Sequence, residues 1–404
     1  MLTQPSFGRR LKQLRQQRGK TQSDLTGPGM SSAYLSRLES GARPPTERAV
    51  AILAERLGVP AGAFETTDPS GLVDVLAAVL VVGDESGHAR RMLESALSGA
   101  EHVDVGLQWQ AHAHLARLLT ADGERSEART TLTKLAALSD ELGHAVLRVY
   151  SRLHLARVQR DLGEADSARI TALEALRIGS EDSLDNHDML RCRLLLASVT
   201  AELGDLAEAF RLSEEACARV GGQTGALAAQ ALWTAATVST RKGNYELSAS
   251  FLERAMTALS SRDDLLLWMR LRHAAAALAL QALPPAPDKA QRYLDEAHPA
   301  LELVGTAQHQ QECAFLHAQL AYVRGEYEEA GRHCEQAATE KVRLNFRDQI
   351  RLEMLKAQIL VKQSDPTARA RLYALAAEAQ AHGMLDLTAE IWRAACLGDQ
   401  ENSQ

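Results

Sequence analysis

The densest group of side chains able to hold a metal is His112-Ala113-His114, with His154 further along the chain. Zinc chemistry needs several imidazoles or thiolates converging at about 2 Å. On a helix, residues two apart point to different faces, so His112 and His114 make a poor chelate and no metal site is expected. The cysteines Cys192, Cys217, Cys313, Cys334 and Cys396 show no CxxC spacing, which points to reduced thiols rather than zinc ligands or a disulfide framework. No glycine-rich phosphate loop follows a strand pattern, no nucleophile elbow occurs, and the acids read as ordinary solvated helix faces. Neither catalysis nor a cofactor is expected.

Arginine is the chemistry that remains, and it is unevenly placed. Residues 1–67 hold ten Lys/Arg against five Asp/Glu, a charge of +5, so the rest carries −12 within the total of −7. A basic footprint confined to one end is what a DNA-binding surface requires. Aromatics make up only 4% of the chain, and the Ala- and Leu-rich remainder favours helices over sheets. No apolar run approaches the roughly 20 residues of a membrane span. The stretch Leu72–Val82 is short and contains Asp74, so a buried helix joining two domains is expected there. The opening Met1-Leu2-Thr3-Gln4-Pro5 has no apolar signal segment, and a cytoplasmic protein is expected.

The elements that must carry the basic end are legible from caps and breakers. Phe7, Leu11 and Leu14 recur at helical spacing, giving a first helix over about 7–18 that stops at Gly19. Thr21 caps a short second helix carrying Gln22 and Leu25, ended by Gly27-Pro28-Gly29. Ser31 caps a third helix running to Gly41, with Tyr34, Leu35 and Leu38 facing inward. Pro44-Pro45-Thr46 introduces a fourth, containing Val50, Leu53 and Leu57 and closed by Gly58.

The string Leu11-x-x-Leu-Arg-x-x-Arg-Gly-x-Thr-Gln, then Tyr34-Leu-Ser-Arg-Leu-Glu-x-Gly, then Leu53-Ala-x-x-Leu-Gly-Val-Pro resembles the Cro/C1-type (XRE) helix-turn-helix family over about 50 residues. This chain has one residue fewer between Thr21-Gln22 and Gly29, so a tighter end to the second helix is expected. The resemblance implies that the third helix enters the major groove and offers Ser32, Ala33, Ser36 and Arg37 to base edges, with Arg37 suited to a bidentate guanine contact. It implies phosphate contacts for Gln22 and Arg43, and a brace between Arg15 and Glu39.

Beyond residue 67 one phrase recurs: a small residue, a glycine seven later, an acid or Asn, then Ala or Ser five after the glycine. It occurs as Ala116/Gly123/Ala128, Ala156/Gly163/Ala168, Ala197/Gly204/Ala209, Ala236/Gly243/Ser248 and Ala318/Gly325/Ala330. Prolines replace the glycine in a degraded copy at Leu283–Pro287, and weak copies lie near Gly83 and Ser364. A period near 40 predicts about seven stacked helical hairpins. The phrase at Gly325-Glu326-Tyr327-Glu328-Glu329-Ala330 and Gly243-Asn244-Tyr245-Glu246 resembles tetratricopeptide repeats, in a form about six residues longer than the standard one.

That resemblance implies that the first helix of each hairpin lines a concave face. Its positions give ligand candidates Arg117, Tyr150, Arg157, Arg191, Gln230, Trp233, Arg241, Arg272, Phe315, Gln319, Tyr322 and Arg351, with Arg160 beside them. Converging arginines suit a carboxylate such as a peptide terminus, with Trp233, Phe315 and Tyr322 supplying apolar pockets. They equally suit pairing with Asp161, Glu202 and Glu312 along a solvated groove.

The expected fold is all-α: an N-terminal helix-turn-helix bundle (1–67), a right-handed α-solenoid acting as sensor and dimerisation domain (68–397), and a flexible tail (398–404). The architecture resembles bacterial quorum-sensing regulators that bind short signalling peptides. It implies a dimeric transcriptional regulator binding a double-stranded operator and gated by a small peptide or small-molecule effector. An acidic metabolite as effector, or a constitutive scaffold docking a protein partner, are the alternatives.

Overall fold

The computed structural model describes residues 6–64, 69–82, 88–98, 103–185, 187–282, 284–338 and 344–401. Every regular element among them is helical, and the only bridge is the isolated pair Gly27 and Met30. The chain divides into Met1–Leu118 and Leu119–Gln404.

In the first unit, α1 spans Ser6–Gln17, α2 Ser32–Glu39 and α3 Glu47–Leu57. Caps set the starts: the Ser31 hydroxyl accepts from the Tyr34 amide (3.2 Å) and the Thr46 hydroxyl from the Ala49 amide (3.2 Å). Gly58 ends α3 in the left-handed region at φ 66°. Phe7, Leu11 and Leu14 pack with Leu25, Leu35, Leu38, Leu53 and Leu57 in one core, and Phe64 closes it with its ring 5.4 Å from that of Phe7.

The expected second helix is reduced to one 3-10 turn, Ser23–Leu25. Thr21 and Asp24 bond reciprocally: the Asp24 carboxylate accepts from the Thr21 amide (2.6 Å), and the Thr21 hydroxyl accepts from the Asp24 amide (3.3 Å). Arg56 then donates to the carbonyls of Leu25 (2.6 Å) and Pro28 (2.8 Å), so these acceptors are satisfied without further helical turns.

Two further helices, α4 (Pro69–Val82) and α5 (His88–Leu97), pack on each other. Leu72, Leu76 and Val79 of α4 are buried, and no described helix is long and apolar enough to cross a membrane. The weak repeat copy near Gly83 lies outside the described residues. The division of the chain falls within α6 (Val105–Ala121).

The second unit is a helical-repeat solenoid. After α7 (Arg125–Leu142) come the hairpins α8/α9 (Ala145–Asp161, Ala165–Glu181), α10/α11 (His187–Glu202, Leu206–Val220), α12/α13 (Ala226–Arg241, Tyr245–Ala258), α14/α15 (Leu265–Gln281, Pro287–Val304), α16/α17 (Ala307–Arg324, Tyr327–Ala337) and α18/α19 (Phe346–Lys362, Ala368–Ala381). The final helix α20 (Leu385–Glu401) continues through the first residues of the expected tail.

The recurring phrase sits where it should. Gly163, Gly204, Gly243 and Gly325 adopt φ of 77–86°, which costs glycine little and other residues more. Ala156 and Ala168, Ala197 and Ala209, and Ala318 and Ala330 are wholly buried, so small side chains let the two helices of a hairpin cross closely. Ser364 turns between α18 and α19 at φ 60°, and Pro287 is the first residue of α15, so both degraded copies mark real turns. Leu283 lies outside the described residues.

First helices pack on first helices of the next repeat, α8 on α10, α10 on α12, and onward to α20. Among the described residues the second helices show no comparable pairing, so the first-helix layer is the shorter, inner one.

Within this unit the winding brings early and late repeats together. The Phe346 ring covers the turn at Gly163, and Leu385 covers that at Gly204. The His382 Nδ1 lies 3.4 Å from the Gly163 carbonyl.

Candidate functional site

Two surfaces carry chemistry, one in each unit. On α2, Leu35 and Leu38 are wholly buried, which turns Ser32, Ala33, Ser36 and Arg37 outward; all four are exposed. The Arg37 guanidinium makes no hydrogen bond or ion pair with any described residue, so its donors are available. Arg43 is exposed and stands over the Tyr34 ring, 5.2 Å from its centroid.

Behind this face the Arg15–Glu39 brace is present. Glu39 accepts from Arg15 Nε (2.6 Å) and Nη2 (3.1 Å), and Arg15 Nη1 also donates to the Lys20 carbonyl (3.0 Å). Burial acts to raise the Glu39 carboxyl, but the bonds from Arg15 and Gln22 outweigh it and hold the group below its ordinary value. Gln22 gives one amide hydrogen to Glu39 (2.7 Å), so its side chain is fixed at the edge of α2.

In the second unit the inner layer gathers most of the expected arginines and supplies most of them with acids. Arg160 bonds Asp161 (2.8 Å), Arg191 bonds Asp188 (3.1 Å), Arg241 reaches Glu202 (3.4 Å) and Arg351 bonds Glu390 (3.1 Å). Arg272 lies over the Trp268 ring at 3.3 Å and beside Glu296 at 3.2 Å. Burial opposes the charge on Arg160, but Asp161 and Glu202 outweigh it and hold the proton more firmly than usual. Arg241 goes the other way: burial, then Arg347, push it down to about 10, and its Nη1 is buried without a partner. Arg347, on the first turn of α18, forks onto Asp386, with Nη1 to Oδ1 at 3.1 Å.

Arg157 is different. It is half-buried, burial and the neighbouring Arg160 and Arg191 lower its pKa, and it has no hydrogen bond or ion pair among the described residues. Toward the start of α8 the Tyr150 and His154 rings lie tilted against each other with centroids 4.4 Å apart, and His154 is pushed down to about 4 by burial and by Arg157.

The other candidates spread along the layer. Gln230 and Trp233 lie half-buried on α12, and Arg270 stands 5.0 Å from the Trp233 centroid. Gln319 is half-buried on α16 with its Oε1 buried and unpartnered, and the Tyr322 ring lies 5.6 Å from that of Tyr327. Phe315 is 5% exposed and packs with Leu352 and Leu355, so its ring serves the core between repeats. Arg117 is exposed on the part of α6 belonging to the first unit. Among the described residues no group of three or more His, Cys, Asp or Glu could hold a metal ion.

The acids opposite Arg241, Arg347 and Arg351 come from one repeat away. Each pair is separated by 39 residues. That interval matches the repeat length, so an acid one period from an arginine was the available signal for Asp386 and Glu390.

Residues 6–65 match a family described as a helix-turn-helix domain, in keeping with the resemblance of the first 67 residues. No curated protein matches the chain. Among solved structures, a Rap protein complexed with Competence and Sporulation Factor is 10% identical with a TM-score of 0.55, covering 94% of this chain and 100% of its own, and shares the helical-repeat fold. PlcR of Bacillus thuringiensis, in complex with the peptide PapR7 and DNA, is 15% identical with a TM-score of 0.39, covering 74% of this chain and 95% of its own. The quorum sensor NprR from B. thuringiensis, in its apo form, is 13% identical with a TM-score of 0.46, covering 87% and 93%.

Proposed function

We propose that the chain is a sequence-specific DNA-binding transcriptional regulator whose repeat unit binds a small effector, a signalling peptide in the first instance, and whose occupancy gates DNA binding. The observation that carries this reading is the exposed, unpaired Arg37 on a capped helix within a helix-turn-helix domain. A guanidinium whose donors are free can give two of its N–H groups to the O6 and N7 of guanine together. Ser32, Ala33 and Ser36 complete the reading face, while Arg43 and Gln22 hold phosphates on either side. One short reading helix gives little specificity alone, so the protein acts as a homodimer on two half-sites about one helical turn apart.

The inner layer supports the effector half of the reading. It carries arginines, glutamines and aromatic rings on successive first helices, and Arg157, Arg241 and Gln319 keep unused polar atoms there. An effector changes the winding of the repeats only to the extent that it binds one winding better than another. The contacts of Phe346 with Gly163 and of Leu385 with Gly204 are the structural elements that such a preference would load or release.

The test is selection of genomic fragments by the purified full chain, then DNA affinity with and without extract of the producing culture. An enriched palindrome whose binding shifts with extract supports the whole reading. Enrichment without a shift leaves a constitutive regulator, and no enrichment with or without extract contradicts DNA recognition.

A further inference from the structure

Three arginines and two acids meet where α8 packs on α10. Arg160 is bonded to Asp161 through Nη2 (2.8 Å) and Nε (3.2 Å), and Arg191 to Asp188 (3.1 Å). Both carboxylates are therefore hydrogen-bonded, and Arg157, which has Arg160 and Arg191 as neighbours, makes no hydrogen bond or ion pair among the described residues and feels Asp161 only at a distance. A guanidinium withdrawn from water, on which Arg160 and Arg191 act more strongly than Asp161, is costly, and a folded chain keeps such a group where an anion arrives from outside.

The surroundings say what else that anion carries. Tyr150, His154 and Arg157 follow one another at four and three residues, so they form a single stripe of α8. The paired rings of Tyr150 and His154 offer an aromatic face one turn from the guanidinium. Burial keeps His154 neutral near pH 7, so it adds no second cation.

We propose that Arg157, flanked by Arg191 and by the Tyr150–His154 ring pair, binds the carboxylate of a ligand that bears an apolar or aromatic group next to that carboxylate. The proposal rests on the reading of the inner layer as an effector site. The free C-terminus of a short peptide and a small carboxylic acid share this chemistry.

The experiment follows thermal unfolding of the full chain with two matched probe pairs: phenylacetate against phenylacetamide, and a pool of short peptides ending in aromatic residues with free C-termini against the same pool amidated. A rise in Tm with the acid and not with the amide is expected in at least one pair. A response to phenylacetate identifies a small acid as sufficient, and a response confined to the peptides identifies a peptide terminus. The ligand-free Arg157→Gln protein is expected to melt at or a few degrees above the wild type, because an uncompensated charge has been removed, and to lose the distinction between acid and amide. Equal effects of acid and amide in both pairs overturn the proposal. So does an Arg157→Gln protein that melts below the wild type or still distinguishes them. DNA affinity of the same samples separates this site from the gating reading. An acid response without any change on DNA keeps the site and removes the gating, whereas gating by culture extract that survives Arg157→Gln keeps the gating and removes the site.

Discussion

The ring of Phe346 lies so close over Gly163 that a Cβ at Gly163 would stand 2.6 Å from the Phe346 Cδ1. Gly163 ends the first helix of an early hairpin and Phe346 begins that of a late one, so the pair joins successive windings of the array. Gly163→Ala is expected to cost on the order of 2 kcal/mol, from the positive φ of 81° together with the clash. Gly243→Ala is the control, since its φ of 77° is similar and nothing lies within 4 Å of its Cβ. Urea unfolding should show a larger loss for Gly163→Ala than for Gly243→Ala, and equal losses would mean that the contact contributes nothing.

Arg37 and Arg43 should fail in different ways on DNA. Arg37→Ala is expected to cost about 1–3 kcal/mol on the selected operator and to relax preference at one base pair. Arg43→Ala should weaken specific and random DNA alike and lower the salt slope by about one unit. Titrations of both variants on both DNAs at several salt concentrations decide this. Equal losses on specific and random DNA for Arg37→Ala would refute its role as a base reader.

The brace under α2 should matter to stability before it matters to DNA. Arg15→Ala leaves Glu39 buried with only Gln22 as a donor, and a loss on the order of 3 kcal/mol in the first unit is expected. Arg15→Ala with Glu39→Met should recover much of it, because both charges are then gone. A thermodynamic cycle over the two sites that shows no coupling would contradict the brace.

Acid should weaken the repeat unit over a definite window. His154, His273 and His309 are each pushed down to about 4, chiefly by burial, from an ordinary 6.5. As pH falls below 6.5 the unfolded chain takes up these protons and the folded one does not, so stability present above 6.5 is lost progressively toward pH 4. Melting curves between pH 7.5 and 4.5 should fall, and His273→Leu, which removes a ring whose two nitrogens are buried and unpartnered, should flatten part of that fall. A profile level across this range would run against the buried neutral histidines.

What could be read from the sequence was local. Ser31 and Thr46 act through amides three residues on, and the alanine pairs around Gly163, Gly204 and Gly325 act within one hairpin, so spacing alone exposed them. The 3-10 turn at Ser23–Leu25 was less legible because Arg56, well over one helix away, satisfies the carbonyls that a longer helix would have used. Phe315 shows the limit of carrying a repeat register across copies: its position on α16 points toward Leu352 and Leu355 of the next hairpin. The isolation of Arg157 was also hidden, since it depends on Asp161 and Asp188 having chosen other arginines.

The meeting of early and late hairpins has a consequence for how such a chain can change over generations. Open repeat arrays lengthen and shorten by duplication and deletion, because each unit needs only its neighbours. Here the turns at Gly163 and Gly204 need Phe346 and Leu385 at a fixed distance around the winding. Losing or gaining one hairpin between them would bring the wrong residues to the junction, so the copy number is fixed by geometry. A decayed unit such as the one turning at Pro284–Pro287 must then be kept in place and altered by substitution, as a keystone is recut and never removed.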